Sequence, residues 1–286
     1  MTMHGYNFFI FLCVSSAFAG NETPVPKYLE IARELVKNVK PQNNNYQHVS
    51  DIDFENNIVK TDCSGFVSAV LNHANYTTVS EMEVLKTRKG HPLAEDFVYS
   101  IQNKKGLEPV DQVVDVLPGD IFAWSWKKQN NHTTTGHVML MNSRPELIES
   151  YAPIKKRTHQ YLVSVIDSSS NTLGDDDSRK VSNFLYIFKQ EHHTGVGIGW
   201  LRLYADTETG ALCGFAKTFN TKNKFRPLNT EKATLNGCIG RPTFKETMTY
   251  FQLNKVFYAN AKEDYLPIAW GQVGLPSIYF PLFHRP

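Results

Sequence analysis

An excess of charge of either sign is missing from this chain. Thirty Lys and Arg face 28 Asp and Glu, for a net +2. That near-balance, with the basic residues scattered along the chain, gives no field for steering toward nucleic acid or an anionic membrane. Long apolar runs are also missing: Phe8–Val14 (FFIFLCV) is too short to span a bilayer, and no later segment approaches a span. No internal repeat is present. Cysteine is scarce, with four in 286 residues, and no His or Cys set has metal-ligand spacing. A hydrophobic content of 41% with 20% charged residues is ordinary for a soluble globular protein large enough to bury a core.

The short apolar run has a consequence of its own. It is followed by SSAFA and Gly20, and Ala17 and Ala19 supply the small-x-small pattern of a secretory cleavage site. Residues 1–19 are therefore expected to be a signal peptide and the mature protein to be secreted or periplasmic, without stable membrane insertion. Cys13 would leave with the signal, leaving Cys63, Cys213 and Cys238. An odd count in an exported chain suggests one pair and one free thiol. Cys213 and Cys238, 24 residues apart in the C-terminal half, form the natural pair, which leaves Cys63 alone.

Periodicity places helices in the first third. Tyr28, Ile31, Ala32, Leu35, Val36 and Val39 recur at helical spacing, as do Phe66, Val67, Val70, Leu71 and Ala74. Ala94, Phe97, Val98 and Ile101 predict a third helix near 92–102, whereas 42–60 reads as polar loop. Strands follow: LPGDIFAWSW (117–126), GHVMLM (136–141), YLVSVID (161–167), and a hairpin of WLRLYAD, TETG and ALCGFA. Helices followed by a run of strands predict an α+β domain over residues 20–220, and 221–286 read as an extension of unassigned fold. GVGIG (195–199) lacks a following helix and so reads as a turn or strand bend, not a nucleotide loop. The DDD run at 175–177 reads as solvated loop, without the ligand spacing of a calcium site. Asn21, Asn75 and Asn131 begin N-x-Thr sequons.

The stretch TDCSGFV (61–67) carries the chemistry. A helix that opens at Cys63 sets its sulfur beside unpaired N–H groups and the positive end of the dipole, both of which favour a thiolate. The same first-turn N–H groups, at Ser64 among others, suit the oxyanion of a tetrahedral intermediate. The competing reading is a buried structural cysteine. A nucleophile needs a base, and His137 sits after a glycine at the start of a predicted strand. His73, His91, His132, His159, His192 and His193 have no comparable setting.

DCSGFV, PGDI and GHV, in that order, resemble the NlpC-type peptidases, papain-like cysteine enzymes related to the CHAP amidases. The resemblance covers about residues 28–215. It implies Cys63 as nucleophile, His137 as general base, Tyr46 as an active-site hydrogen-bond donor, and a helix-borne cysteine packed on an antiparallel sheet. It implies no cofactor and no metal. The interval from Cys63 to His137 implies an insertion within 75–115. An orienting carboxylate should accept from the far nitrogen of His137. Asp167 fits if 136–141 pairs antiparallel with 161–167, and Glu149 fits if a tight turn forms at NSRP; Asp167 has the better strand. The expected function is cleavage of amide bonds, with cell-wall peptidoglycan as substrate. A deamidase or transacylase acting on a protein, or a binding module using the cleft, would be built on the same residues.

Overall fold

The computed structural model describes residues 24–82, 91–127, 134–174, 176–180, 193–217 and 224–243. All of them belong to one compact unit that ends at Lys245. The expected signal peptide with Cys13, the sequons at Asn21 and Asn131, and all of the expected extension past Thr243 lie outside the described residues.

The helical periodicities become α1 (Lys27–Asn38), α2 (Cys63–His73) and α4 (Ala94–Gln102), with a single turn, α3, at Thr78–Glu81. The segment 42–60, expected as loop, instead holds three short strands. These are β1 (Asn44–Asn45), β2 (Asp51–Asp53) and β3 (Ile58–Lys60), paired in the order β1-β3-β2. They are only two or three residues long, too short for any alternation of apolar and polar residues to show in the sequence.

The remaining strands build one large sheet. They are β4 (Leu107–Pro109), β5 (Ile121–Trp126), β6 (Gly136–Met141), β7 (Glu146–Ile148), β8 (Thr158–Ser169), β9 (Gly195–Asp206), β10 (Leu212–Lys217), β11 (Arg226–Pro227) and β12 (Leu235–Pro242). Their order is β11-β10-β9-β8-β6-β5-β12-β4, with β7 paired to β8. Every neighbouring pair is antiparallel. The fold is thus α+β, a large antiparallel sheet with a few helices. A domain end at 220 is corrected by β12, which lies inside the sheet between β5 and β4.

The sheet also curls back on itself. Leu228, just past β11, bridges to Leu235 of β12. Asn229 then ties the two together, its side-chain amide bonded to the Gly237 carbonyl (2.6 Å) and to the Gly237 N–H (2.9 Å). Side-chain alternation therefore feeds two cores. Phe122, Met139, Met141, Val163, Val165, Leu201, Leu203 and Phe215 point into the curl. Ile121, Ala123, Val138, Leu140, Ile166 and Val196 point out, against the buried faces of α1, α2 and α4.

The expected Cys213–Cys238 disulfide is not formed, and both thiols are free. Cys213 on β10 donates to the Tyr204 carbonyl, while Cys238 on β12 packs against α4 at the Val98 carbonyl. Strands β10 and β12 are not neighbours, so the two backbones stand at least two strand spacings apart, about 9.5 Å. That exceeds the roughly 7 Å Cα separation a disulfide can bridge. Among the described residues, no helix is long and apolar enough to cross a membrane.

Candidate active site

Asp62 sets where α2 begins. Its Oδ1 accepts from the Gly65 N–H at 2.9 Å, an N-cap that stabilises the helix by about 1 kcal/mol. Cys63 is then the first helical residue, as the sequence predicts, only 6% exposed but lining a cleft. The cleft has about 430 Å³ of empty space, open mouth included, and Tyr46, His48, Leu93 and Gly136 also line it. Two bonds hold the helix start to the two sheets. Ser168 on β8 donates to the Thr61 carbonyl at 2.6 Å, and Thr61 donates to Asn45 of β1 at 3.0 Å.

His137 lies on β6, as predicted, opposite Trp124 of β5. Its imidazole is 16% exposed, hydrogen-bonds Asp167, and lies near enough to Cys63 for the sulfur's charge to act on it. The Nε2–Oδ2 distance to Asp167 is 2.6 Å, and Asp167 is fully buried. The open choice of orienting carboxylate thus falls to Asp167. Glu149 is exposed just past β7, whose Ile148 pairs with Gln160 at the far end of β8. The register differs from the expected one: Ile166 pairs with Leu140, which puts Asp167 across from Met139. His137 therefore meets Asp167 on the diagonal, within reach because both face into the curl.

Electrostatics complete the pair. Burial works against charge on His137, but the Cys63 charge and the hydrogen bond to Asp167 outweigh it and raise its pKa to about 9. Burial likewise pushes the Asp167 carboxyl up, but the Arg179 guanidinium and His137 hold it below its ordinary value. Tyr46, which follows β1, has its phenol pushed well up by burial and by the charges of Cys63 and Asp62. It stays a donor across the working pH range. Asn44 anchors that segment by bonding both the N–H (2.7 Å) and the carbonyl (2.9 Å) of Val196 on β9. Ser64 is nearly buried and its hydroxyl donates to Asp62, so only its backbone N–H is left for the expected oxyanion role.

Sequence reasoning missed Arg179 and Asp177. Asp177, expected in a solvated loop, is buried and clamps Arg179 through Nε–Oδ1 (2.8 Å) and Nη2–Oδ2 (2.6 Å) bonds. Arg179 Nη1 stands 3.0 Å from Asp167 Oδ1, an ion pair with poor hydrogen-bond alignment because that nitrogen also donates to the Gly195 carbonyl. The GVGIG stretch makes room for this clamp. It is the start of strand β9, not a turn, and a Cβ on Gly197 would stand 2.7 Å from both Arg179 Cγ and Nε. Gly197→Ala is expected to lower stability by roughly 1–3 kcal/mol through this overpacking and to reduce turnover by displacing Arg179 from Asp167. Thermal melts with steady-state rates check it; unchanged rates would detach the clamp from the site.

His48, in the lining of the cleft, and His91, outside it, flank Asp62 with closest approaches of 3.4 and 3.7 Å. Nothing in their sequence neighbourhood marked them. Among the described residues, no group of three or more His, Cys, Asp and Glu side chains could hold a metal ion.

No protein-family model matches the chain, and no solved structure matches it. The chain is similar to a curated protein of Acanthamoeba polyphaga mimivirus described as uncharacterized. The two are 29% identical over 174 residues, covering 58% of this chain and 71% of the viral one.

Proposed function

We propose that the chain is a papain-like cysteine hydrolase that cleaves amide bonds through an acyl-enzyme. One observation carries the reading. A cysteine at the first position of a capped helix lies beside a histidine whose Nε2 is held by a buried carboxylate at 2.6 Å. A merely structural cysteine needs neither the partner nor the cleft.

In this reading, the Cys63 thiolate attacks the carbonyl carbon. The resulting oxyanion is met by first-turn N–H groups and the Tyr46 hydroxyl. The His137 imidazolium, favoured by its raised pKa, gives its proton to the leaving amine as the C–N bond breaks, leaving a thioester on Cys63. Neutral His137 then takes a proton from water, which attacks the thioester and releases the acid and the thiolate. Asp167 keeps the imidazole oriented throughout, and Arg179 with Asp177 keeps Asp167 charged.

The resemblance in DCSGFV, PGDI and GHV favours peptidoglycan stem peptides as substrates, with secretion to reach them. Mass spectrometry of purified cell-wall peptides and of a glutamine-rich protein, each incubated with the chain, tests this. Water added across a stem-peptide bond supports the proposal, and ammonia released from glutamine alone would redirect it to protein deamidation. No change in either substrate beyond that seen with Cys63→Ala would overturn it.

A further inference from the structure

A second cavity adjoins His137 and the Cys63 cleft, inside the mouth of the curled sheet. It has about 600 Å³ of empty space, open mouth included. Trp124 and Phe215 wall it with rings stacked at 6.0 Å between centroids, and Met139 and Leu201 extend the apolar surface. Its charged side chain, apart from His137 itself, is Lys217, which lines it one pleat beyond the inward-facing Phe215. The nearby carboxylates are already engaged: Asp167 by His137 and Arg179, and Asp177 by Arg179 and the Leu173 N–H. Among the described residues, no carboxylate lies within ion-pair distance of Lys217. Ser169, Ser170 and Asn171 line the same cavity with neutral polar groups. A partly buried ammonium there has hydrogen-bonding neighbours but, among the described residues, no ion-pair partner, a setting that a bound anion would complete. Burial indeed pulls the Lys217 pKa below its ordinary value.

This cavity shares Tyr46, Thr134 and Gly136 with the cleft that holds Cys63, so one substrate can occupy both. It is lined by His137 and not by Cys63, which puts it where the leaving amine must approach to collect its proton. We infer that the cavity is a subsite for an amine leaving group that carries an apolar side chain and a free carboxylate, with Lys217 as the counter-charge. The inference rests on the proposed hydrolase reading and narrows it to substrates with a carboxylate close to the scissile bond.

The test needs no natural substrate. Alkylation rates of Cys63 are measured with bromoacetyl-phenylalanine and with its carboxamide, which differ only in the anion. Wild-type protein should react about tenfold faster with the acid, the size of a charge-assisted hydrogen bond. The acid-to-amide ratio should fall near one in Lys217→Met and below one in Lys217→Glu. If those variants do not fold, the wild-type ratio against salt decides, since an ion-pair preference must shrink as salt rises. A ratio that is the same in wild type and Lys217→Met, or insensitive to salt, overturns the subsite. Failure of the hydrolase reading looks different: iodoacetamide would then alkylate Cys63 no faster in folded than in unfolded protein.

Discussion

Replacing Asp167 with asparagine is expected to lower kcat about a hundredfold or more, by analogy with other triads. Glu149→Gln should change it less than about twofold, as for surface substitutions generally. The amide keeps the shape of the carboxylate but removes the charge that favours the His137 imidazolium and offers an N–H that selects the wrong tautomer. It also leaves the Arg179 guanidinium without one of its two counter-charges. Glu149 stands exposed at the other end of β8 and has no path to the imidazole. Steady-state kinetics on one substrate, with thermal melts as the folding control, separate the two. A large loss for Glu149→Gln would contradict the strand arrangement, and small losses for both would mean that something else orients His137.

The ratio kcat/KM should also fall as pH rises through about 9, where His137 loses the proton it gives to the leaving amine. The stability linkage has the same sign. A histidine pKa raised above its ordinary value of 6.5 gives stability fully present below that value and lost as pH rises through about 9. Asp167 acts in the opposite direction. Its carboxyl is held below the ordinary value, so its contribution is present above about pH 4 and lost as pH falls through the lowered value. A kcat/KM profile, which reports the groups of the free protein, with melts across the same buffers measures both. An alkaline limb near pH 6.5 would show that the imidazole is not coupled to Cys63 and Asp167.

The positions of Cys63 and His137 were legible in the sequence, whereas the carboxylate beside His137 was open between Asp167 and Glu149 until the strand pairing was known. Cys63 follows a capping aspartate at the head of an apolar helix, and His137 and Asp167 stand at the ends of largely apolar runs that read as buried strands. Arg179 and Asp177 were not legible, since their role depends on a loop folding over the glycines of β9, a contact between segments about twenty residues apart that no short window records. Strand β12 was hidden for a related reason. LNGCIGRP, with its two glycines and a proline, lies in the stretch left unassigned because such residues break the strand pattern. In the sheet, the space beside Gly240 is taken by Ile101 of α4, where a Cβ would stand 2.5 Å from Ile101 Cγ1. Gly240 thus lets a helix pack closely on the strand, and Gly237 makes room for the Leu228 side chain. The disulfide expectation failed because it rested on counting cysteines, and a count carries no information about which strands are neighbours.

The central claim is that Cys63 is acylated during turnover. It is tested most directly by acid quench of the protein during reaction with a p-nitrophenyl ester, followed by intact mass and peptide mapping. The account predicts one acyl group per chain, on the peptide that contains Cys63, removable by hydroxylamine and absent from Cys63→Ala. Acylation of Cys213 or Cys238 instead, or product formed at an undiminished rate by Cys63→Ala, would contradict it.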